Sequence, residues 1–129
     1  MKIAWQTAPM DDHCLRPEDA DLLRRTYRAF NARDIDEILA TMSPQIDWPN
    51  MMDNVRAHGR DEVRKYWLRQ FAEIDPRVEP TDMRVEPDGR ICVDVHQVVR
   101  NLNGDVLADQ NVQHVYTVRD GLLERMDVR

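Results

Sequence analysis

Two titratable side chains and two amides in the second half of the chain have the spacing of an acid/base site. Asp94 and His96 are separated by one residue in a segment of alternating apolar residues, which predicts a strand with both side chains on one face, about 7 Å apart. Histidine titrates near neutral pH and burial raises the pKa of a carboxyl group, so either group could transfer a proton. Asn111 and Gln113 occur in the next predicted strand, where their amides could hold a substrate carbonyl or a developing oxyanion.

We therefore predict His96 and Asp94 as catalytic residues, and Asn111 and Gln113 as substrate-binding residues. The alternative is a buried polar network in which each group satisfies its neighbour and only stabilises the sheet.

Three glycine-containing dipeptides define the pairing of the strands. Asp88-Gly89, Asn103-Gly104 and Asp120-Gly121 are typical of two-residue hairpin turns and predict four long antiparallel strands. This pairing places Asp94 opposite Gln113. The face that contains Asp94 and His96 also contains Met83, Val85, Cys92, Val115, Met126 and Val128. The opposite face contains Val93, Val95, Val112, His114, Tyr116 and Leu123.

The two faces have different predicted roles. We assign the face of Asp94 to a pocket, which makes the face of Val95 and Val112 the outer surface of the sheet. A soluble monomer rarely leaves such an apolar patch exposed, so we predict a homodimer through it. The strand predicted from Asp105 to Arg119 would span on the order of 45 Å, so we expect the sheet to curve at a bulge.

The first half of the chain has the patterns of three helices. Pro17 followed by acidic residues is typical of a first helical turn, and Asp34 with an acid three residues later predicts a capping box. A third helix is predicted after Gly59. Ile46–Trp48 predicts a short strand, and the segment from there to His58 predicts a loop. The fold class is therefore α+β, with three N-terminal helices against four long strands and a short one.

Aromatic and loop side chains complete the candidate pocket. Trp48 and Tyr27 could supply flat apolar walls at its mouth, and Met126 is an apolar neighbour on the same predicted face. His58 flanks a loop that could form a lid. We predict all four as substrate-binding residues, and the alternatives are core aromatic residues and a solvated loop histidine.

The charge balance disfavours several classes of partner. Eighteen Lys and Arg against 24 Asp and Glu give a formal net charge of −6, which is the wrong sign for binding a phosphate backbone. No apolar run approaches the roughly 20 residues that span a bilayer, and no polybasic patch would attract a membrane surface. We expect a cytoplasmic protein that binds neither nucleic acid nor membrane.

No motif indicates a metal or a cofactor. Asp11-Asp12-His13-Cys14 has the residue types of a metal site, but four adjacent side chains cannot converge tetrahedrally without distant partners. The chain has no glycine-rich phosphate loop, nucleophile elbow or flavin fingerprint. Cys14 and Cys92 do not suggest a disulfide framework. We predict no metal and no cofactor.

Three segments carry a family resemblance. Tyr27–Asp36 (YRAFNARDID) resembles a junction of two helices, Gly59–Val63 (GRDEV) the start of a third helix, and His114–Gly121 (HVYTVRDG) a late strand, in the nuclear transport factor 2-like superfamily. Within it, the chain resembles the polyketide cyclase SnoaL-like and ketosteroid isomerase-like branch, from Glu18 to Val128. The resemblance implies a cone-shaped α+β barrel with a ligand pocket at its open end, and commonly a homodimer. It also implies one domain over residues 17–129 after an N-terminal extension of residues 1–16.

The resemblance does not extend to the chemistry of steroid isomerases. It places Thr26 where those enzymes have an oxyanion tyrosine, Asn50 near their general-base aspartate, and Gln113 at the acid that completes their oxyanion hole. All three positions lack the required group, so steroid isomerisation is not expected.

Two classes of function stay open. One is a cofactor-independent acid/base enzyme of the cyclase, isomerase or dehydratase type that acts on a small apolar carbonyl or hydroxyl compound. The other is a non-catalytic domain that binds a small molecule or a partner.

Overall fold

Three helices lie against one curved, open sheet in the computed structural model, which describes residues 15–129. The helices are α1 (Pro17–Asn31), α2 (Ile35–Ala40) and α3 (Gly59–Glu73), and the strands are β1 (Met42–Asn50), β2 (Val55–His58), β3 (Asp75–Val85), β4 (Ile91–Arg100), β5 (Val106–Arg119) and β6 (Leu122–Val128). The strands are ordered β2-β1-β6-β5-β4-β3. Neighbours are antiparallel except β1 and β6, which are parallel. The predicted α+β class is confirmed, with six strands within residues 15–129 rather than the predicted five.

Local signals place the helices correctly. Helix α1 begins at Pro17 with Glu18 in its first turn. Helix α2 follows Asp34, whose carboxylate accepts a 3.2 Å hydrogen bond from the backbone N–H of Glu37. Helix α3 begins at Gly59, as predicted. Capping and dipole interactions act within one turn, and such signals can therefore be read from neighbouring residues alone.

The segment before His58, predicted as a loop, contains strand β2 instead. Arg56 in this strand donates to the carboxylate of Asp47 at 2.7 Å and to the backbone carbonyls of Asp47 and Met126 at 3.0 and 2.8 Å. These bonds fix β2 against β1 and reach β6. The segment Val55–His58 alternates apolar and polar residues over only four positions, which is too short a pattern to predict a strand. It forms one because distant groups bind Arg56, and no local pattern reports such binding.

One of the three predicted hairpin registers is confirmed. Asp94 pairs with Gln113, and His96 pairs with Asn111. The turn itself differs from the prediction, because Asn101 donates its N–H to the carbonyl of Asp105 around a three-residue loop. A register shift between Val99 and Arg100, next to the turn, offsets the third loop residue. The rest of the β4–β5 ladder therefore has the predicted pairing.

The other two registers are wrong by one residue. Met83 pairs with Val93 because a three-residue loop joins β3 to β4. Tyr116 pairs with Met126 because the β5–β6 ladder shifts after its turn. A shift of one residue moves every later side chain to the other face of the strand. Met83 and Met126 therefore share a face with Val93 and Tyr116, and not with Asp94.

The two faces of the sheet have the opposite roles to those predicted. The apolar face packs against the helices and forms the core: Val93, Val95, Tyr116 and Leu123 are each at most 1% exposed. The face of Asp94 is the outer face. The prediction failed because it covered polar side chains with the helices, whereas burying apolar surface contributes most of the favourable free energy of folding. The homodimer was predicted from an apolar patch that is in fact buried against the helices of the same chain. The oligomeric state therefore stays a prediction without that argument.

Within residues 15–129, no helix is both long and apolar enough to cross a membrane. The same part of the chain has no group of three or more His, Cys, Asp or Glu side chains placed to hold a metal ion. The Asp11–Cys14 segment lies outside the described residues.

Candidate functional site

A cavity of about 200 Å³ lies between the helices and the inner face of the sheet. Its walls are mainly apolar and include Phe30, Ile38, Trp48, Trp67, Val112 and Met126. The indole rings of Trp48 and Trp67 meet edge to face, with their centroids 5.3 Å apart. These flat side chains suit a flat apolar ligand.

Three hydrogen-bonded side chains form the buried end of the cavity. The hydroxyl of Tyr116 on β5 donates to the hydroxyl of Tyr27 on α1 at 2.8 Å. The Tyr27 hydroxyl lies 2.8 Å from Nδ1 of His114, two residues before Tyr116 on the same face of β5. The rings of Tyr27 and His114 are stacked, with 5.9 Å between centroids and 8° between planes. We call Tyr116, Tyr27 and His114 the polar relay.

Burial keeps the polar relay uncharged at neutral pH. Desolvation lowers the pKa of His114 from 6.5 to about 4. Desolvation also raises the pKa of Tyr27 and of Tyr116 well above that of a free tyrosine. The imidazole is therefore neutral and both phenols keep their protons.

The direction of the hydrogen bonds assigns the histidine tautomer. With the Tyr116 hydroxyl as the donor to Tyr27, the Tyr27 proton is directed to Nδ1 of His114, and we assign the imidazole proton to Nε2 on this basis. Nε2 has no protein partner among residues 15–129. His114 is only 8% exposed and lines the cavity. A buried N–H donor is thus available to a ligand.

The exposed lining residues identify the mouth of the cavity. Met51 is 61% exposed and Val128 is 37% exposed, and Gln110 is also exposed. Tyr27 and Trp48, at 4% and 8%, belong to the buried end. The cavity therefore runs from a solvent-facing mouth to the polar relay.

Charged groups do not contribute to the lining. Among residues 15–129, the cavity wall contains no Asp, Glu, Lys or Arg side chain. A charged ligand would lose its hydration without gaining an ion pair, which is costly. The lining therefore favours an uncharged ligand.

Three of the predicted site residues line this cavity. Tyr27, Trp48 and Met126 are part of its wall. Tyr27 and Trp48 were expected at the mouth, but both are buried at the inner end. Met126 was placed with Asp94 by a wrong register, and it reaches the cavity because it pairs with Tyr116.

The other five predicted site residues lie away from the cavity. Asp94 accepts hydrogen bonds on the outer face from Arg84 at 2.9 Å and from Gln113 at 3.1 Å. The Arg84 guanidinium lowers the pKa of Asp94, whereas the sequence prediction expected burial to raise it. His96 is paired with Asp109, with Nε2 2.6 Å from the carboxylate. Gln113, which donates to Asp94, is the third of the five. Asn111 is exposed and lies opposite His96 in the β4–β5 ladder. The side chain of His58 is 66% exposed and lies 3.8 Å from Asp47.

Of the polar relay, Tyr27 was predicted as a site residue, but His114 and Tyr116 were not, although the sequence contained a signal for them. His114 and Tyr116 occur on the face that also carries Val93, Val95 and Val112. A histidine between buried valines must be hydrogen-bonded or bind a ligand, because burying an unpaired polar group is unfavourable. The signal was not used because the face of His114 was assigned to the outer surface of the sheet, where a histidine needs no buried partner.

The family comparison agrees with the fold. A family model for the SnoaL-like domain matches residues 23–126, so the chain belongs to the SnoaL-like domain family within the nuclear transport factor 2-like fold. Comparison with curated proteins found no match.

Several known structures share the fold. An NTF2-like protein of unknown function from Burkholderia pseudomallei K96243 has 25% sequence identity and a TM-score of 0.76, over 88% of this chain and 91% of that one. TerC, co-crystallised with polyporic acid, has 24% identity and a TM-score of 0.74, over 87% and 90%. A proposed polyketide cyclase from Xanthomonas campestris pv. campestris has 21% identity and a TM-score of 0.73, over 88% and 90%.

Proposed function

We propose that this protein binds a small, uncharged and largely apolar compound through a carbonyl or hydroxyl oxygen that accepts a hydrogen bond from Nε2 of His114. The observation that carries this proposal concerns the described residues 15–129: among them, the cavity wall has no charged side chain and the buried His114 has a ring nitrogen without a protein partner. The co-crystallisation of TerC with polyporic acid supports the binding of an organic molecule by a protein of this fold.

The polar relay is suited to donating a hydrogen bond rather than to transferring a proton. Protonating His114 at neutral pH is unfavourable because its pKa is about 4. Drawing a proton from Tyr27 would create a buried phenolate, which its raised pKa opposes. The relay can nevertheless stabilise negative charge that develops on a bound oxygen, since Tyr27 holds the imidazole in the donating tautomer.

This property favours a second candidate function, a cofactor-independent enzyme of the cyclase type. Closure of a carbon ring onto a carbonyl needs a confined substrate and a donor at the carbonyl oxygen that becomes negative in the transition state, and the proton lost from the attacking carbon would pass to solvent water at the mouth. The cavity and His114 would supply these two elements. The likeness to a proposed polyketide cyclase supports this candidate. Isomerase and dehydratase chemistry needs a positioned base. Among residues 15–129, His114 is the one titratable lining group other than tyrosine, and it already serves as the donor. The cavity therefore favours a cyclase over these two classes.

The binding proposal can be tested with two probes of one shape. 2-Naphthol carries a hydroxyl where 2-methylnaphthalene carries a methyl group. We expect the wild-type protein to bind 2-naphthol about fivefold more tightly, the effect of one net hydrogen bond, as measured by fluorescence titration. In His114→Phe, which keeps a flat ring but removes the donor, the preference should disappear.

A cavity-filling variant locates the binding. Val112→Trp should block both probes, because Val112 lines the cavity. Binding that survives Val112→Trp, or no binding of either probe to the wild-type protein, would contradict the proposal. The cytoplasmic location and the homodimer expected from the sequence remain proposals beside it.

A further inference from the structure

The mouth of the cavity carries a second set of polar groups, separate from the polar relay. Gln97 on β4 and Gln110 on β5 are cross-strand partners, and both line the cavity. Gln70 and Gln113 have hydrogen-bonded side chains, whereas within residues 15–129 the amides of Gln97 and Gln110 have no side-chain partner. Each of these two amides offers both a donor and an acceptor to a ligand.

On the inner face of the sheet, polar and apolar side chains follow one another between the mouth and the buried end of the cavity. Along β5 the inward residues are Gln110, Val112, His114 and Tyr116. The partner of Val112 on β4 is Val95, so a band of valine separates the glutamine pair from the polar relay. The cavity therefore presents a polar end, an apolar middle and a second polar end.

The spacing of these groups sets the length of a matching ligand. Gln110 and His114 are four residues apart on one strand, which places their backbones roughly 13 Å apart. If the two side chains extend in parallel, their donor atoms keep this separation, and a hydrogen bond of roughly 3 Å at each end leaves roughly 7 Å between the two ligand atoms. A flat body of two fused rings with an oxygen at each end has this length.

We infer that Gln97 and Gln110 determine specificity, and that the ligand is a flat apolar compound with oxygen functions at both ends. One oxygen accepts from His114 and the other meets the glutamine pair. This inference rests on the proposed function, because it assigns the second end of the same ligand. A compound with only one oxygen would leave the mouth amides to water and would bind less tightly.

The test compares 2-naphthol with 2,6-dihydroxynaphthalene, which adds a hydroxyl at the far end of the same ring system. We expect the wild-type protein to bind the diol about fivefold more tightly, as measured by fluorescence titration or calorimetry. In the double variant Gln97→Met/Gln110→Met, which keeps side-chain length but removes the amides, the two probes should bind equally. Gln113→Met, a glutamine on the outer face of the same strand, should keep the preference for the diol.

The outcomes separate this inference from the proposed function. If both probes bind the wild-type protein equally and Val112→Trp blocks both, the cavity binds ligands but the glutamine pair does not select them, and the inference is wrong. A preference for the diol that persists in the double methionine variant also overturns it. If neither probe binds, the proposed function fails, and the inference fails with it.

Discussion

The hydroxyl of Tyr27 lies 2.8 Å from Nδ1 of His114, although the two residues are 87 positions apart in the chain. This contact joins helix α1 to the inner face of strand β5 at the buried end of the cavity. In the tautomer that we assign, Nδ1 accepts this hydrogen bond and Nε2 is a donor toward a ligand. The stability and the binding properties of the protein should both depend on it.

The stability of the protein should fall in mild acid because of His114. Its folded-state pKa, about 4, is below the 6.5 of a free histidine, so the unfolded chain binds a proton at higher pH than the folded chain does. The contribution is therefore complete above pH 6.5 and is lost as the pH falls toward 4. At about pH 5 the loss should be about 2 kcal/mol relative to neutral pH. Urea denaturation across this range measures it.

Two variants assign this pH dependence to His114. In His114→Gln the loss between pH 6.5 and 5 should nearly vanish, because the variant has no group there that titrates. His58→Gln removes an exposed histidine instead and should keep the wild-type slope. An unchanged slope in His114→Gln would contradict the assignment.

Removing the hydroxyl of Tyr27, the central member of the polar relay, should destabilise the protein more than removing the hydroxyl of Tyr116 at one end. Tyr27→Phe leaves the Tyr116 hydroxyl without its acceptor and Nδ1 of His114 without its donor. Tyr116→Phe removes the same atom from a similar ring but leaves the bond between Tyr27 and His114 in place. We expect Tyr27→Phe to lower the free energy of unfolding by about 2 to 4 kcal/mol and Tyr116→Phe by about 1 kcal/mol. Equal losses in urea denaturation would show that the three groups do not act as a chain.

The outer face should be unimportant for binding. Asp94→Asn and His96→Gln alter side chains that lie outside the cavity, in contact with Arg84 and Asp109. We expect both variants to bind 2-naphthol with wild-type affinity and to unfold at nearly the wild-type urea concentration, because exposed ion pairs are screened by solvent. Weakened binding in either variant would contradict the inner cavity as the binding site and would favour the outer face, which was predicted from the sequence.

Arg56 should stabilise the edge of the sheet. Its guanidinium donates to two backbone carbonyls and to the carboxylates of Asp47 and Asp127, and its side chain is 28% exposed. Arg56→Met should lower the free energy of unfolding by about 2 to 3 kcal/mol, because two partly buried carbonyls lose a charged donor. Arg77→Met, which breaks an exposed pair with Glu79, should have no measurable effect. Similar losses in the two variants would contradict the role of Arg56.

The sequence by itself determined the features that depend on neighbouring residues. Pro17 and Asp34 mark the starts of two helices because capping and dipole interactions act within one turn. The segments around Tyr27, Gly59 and His114 identify the family. The predicted pairing of Asp94 with Gln113 is also correct, but only because a register shift next to the turn offsets a three-residue loop that the sequence did not predict.

Only the tertiary structure decided which face of the sheet the helices cover and where the ladders shift. Alternation sorts side chains into two faces but does not say which face is buried, because burial depends on helices far away in the chain. Extra residues near Gly89 and Gly121 moved Met83 and Met126 to the inner face, although the turn sequences gave no sign of them. The bond between Tyr27 and His114 exists because the fold brings a helix onto a strand. Burial there keeps the histidine uncharged, and the bond to Tyr27 is the basis on which its tautomer is assigned.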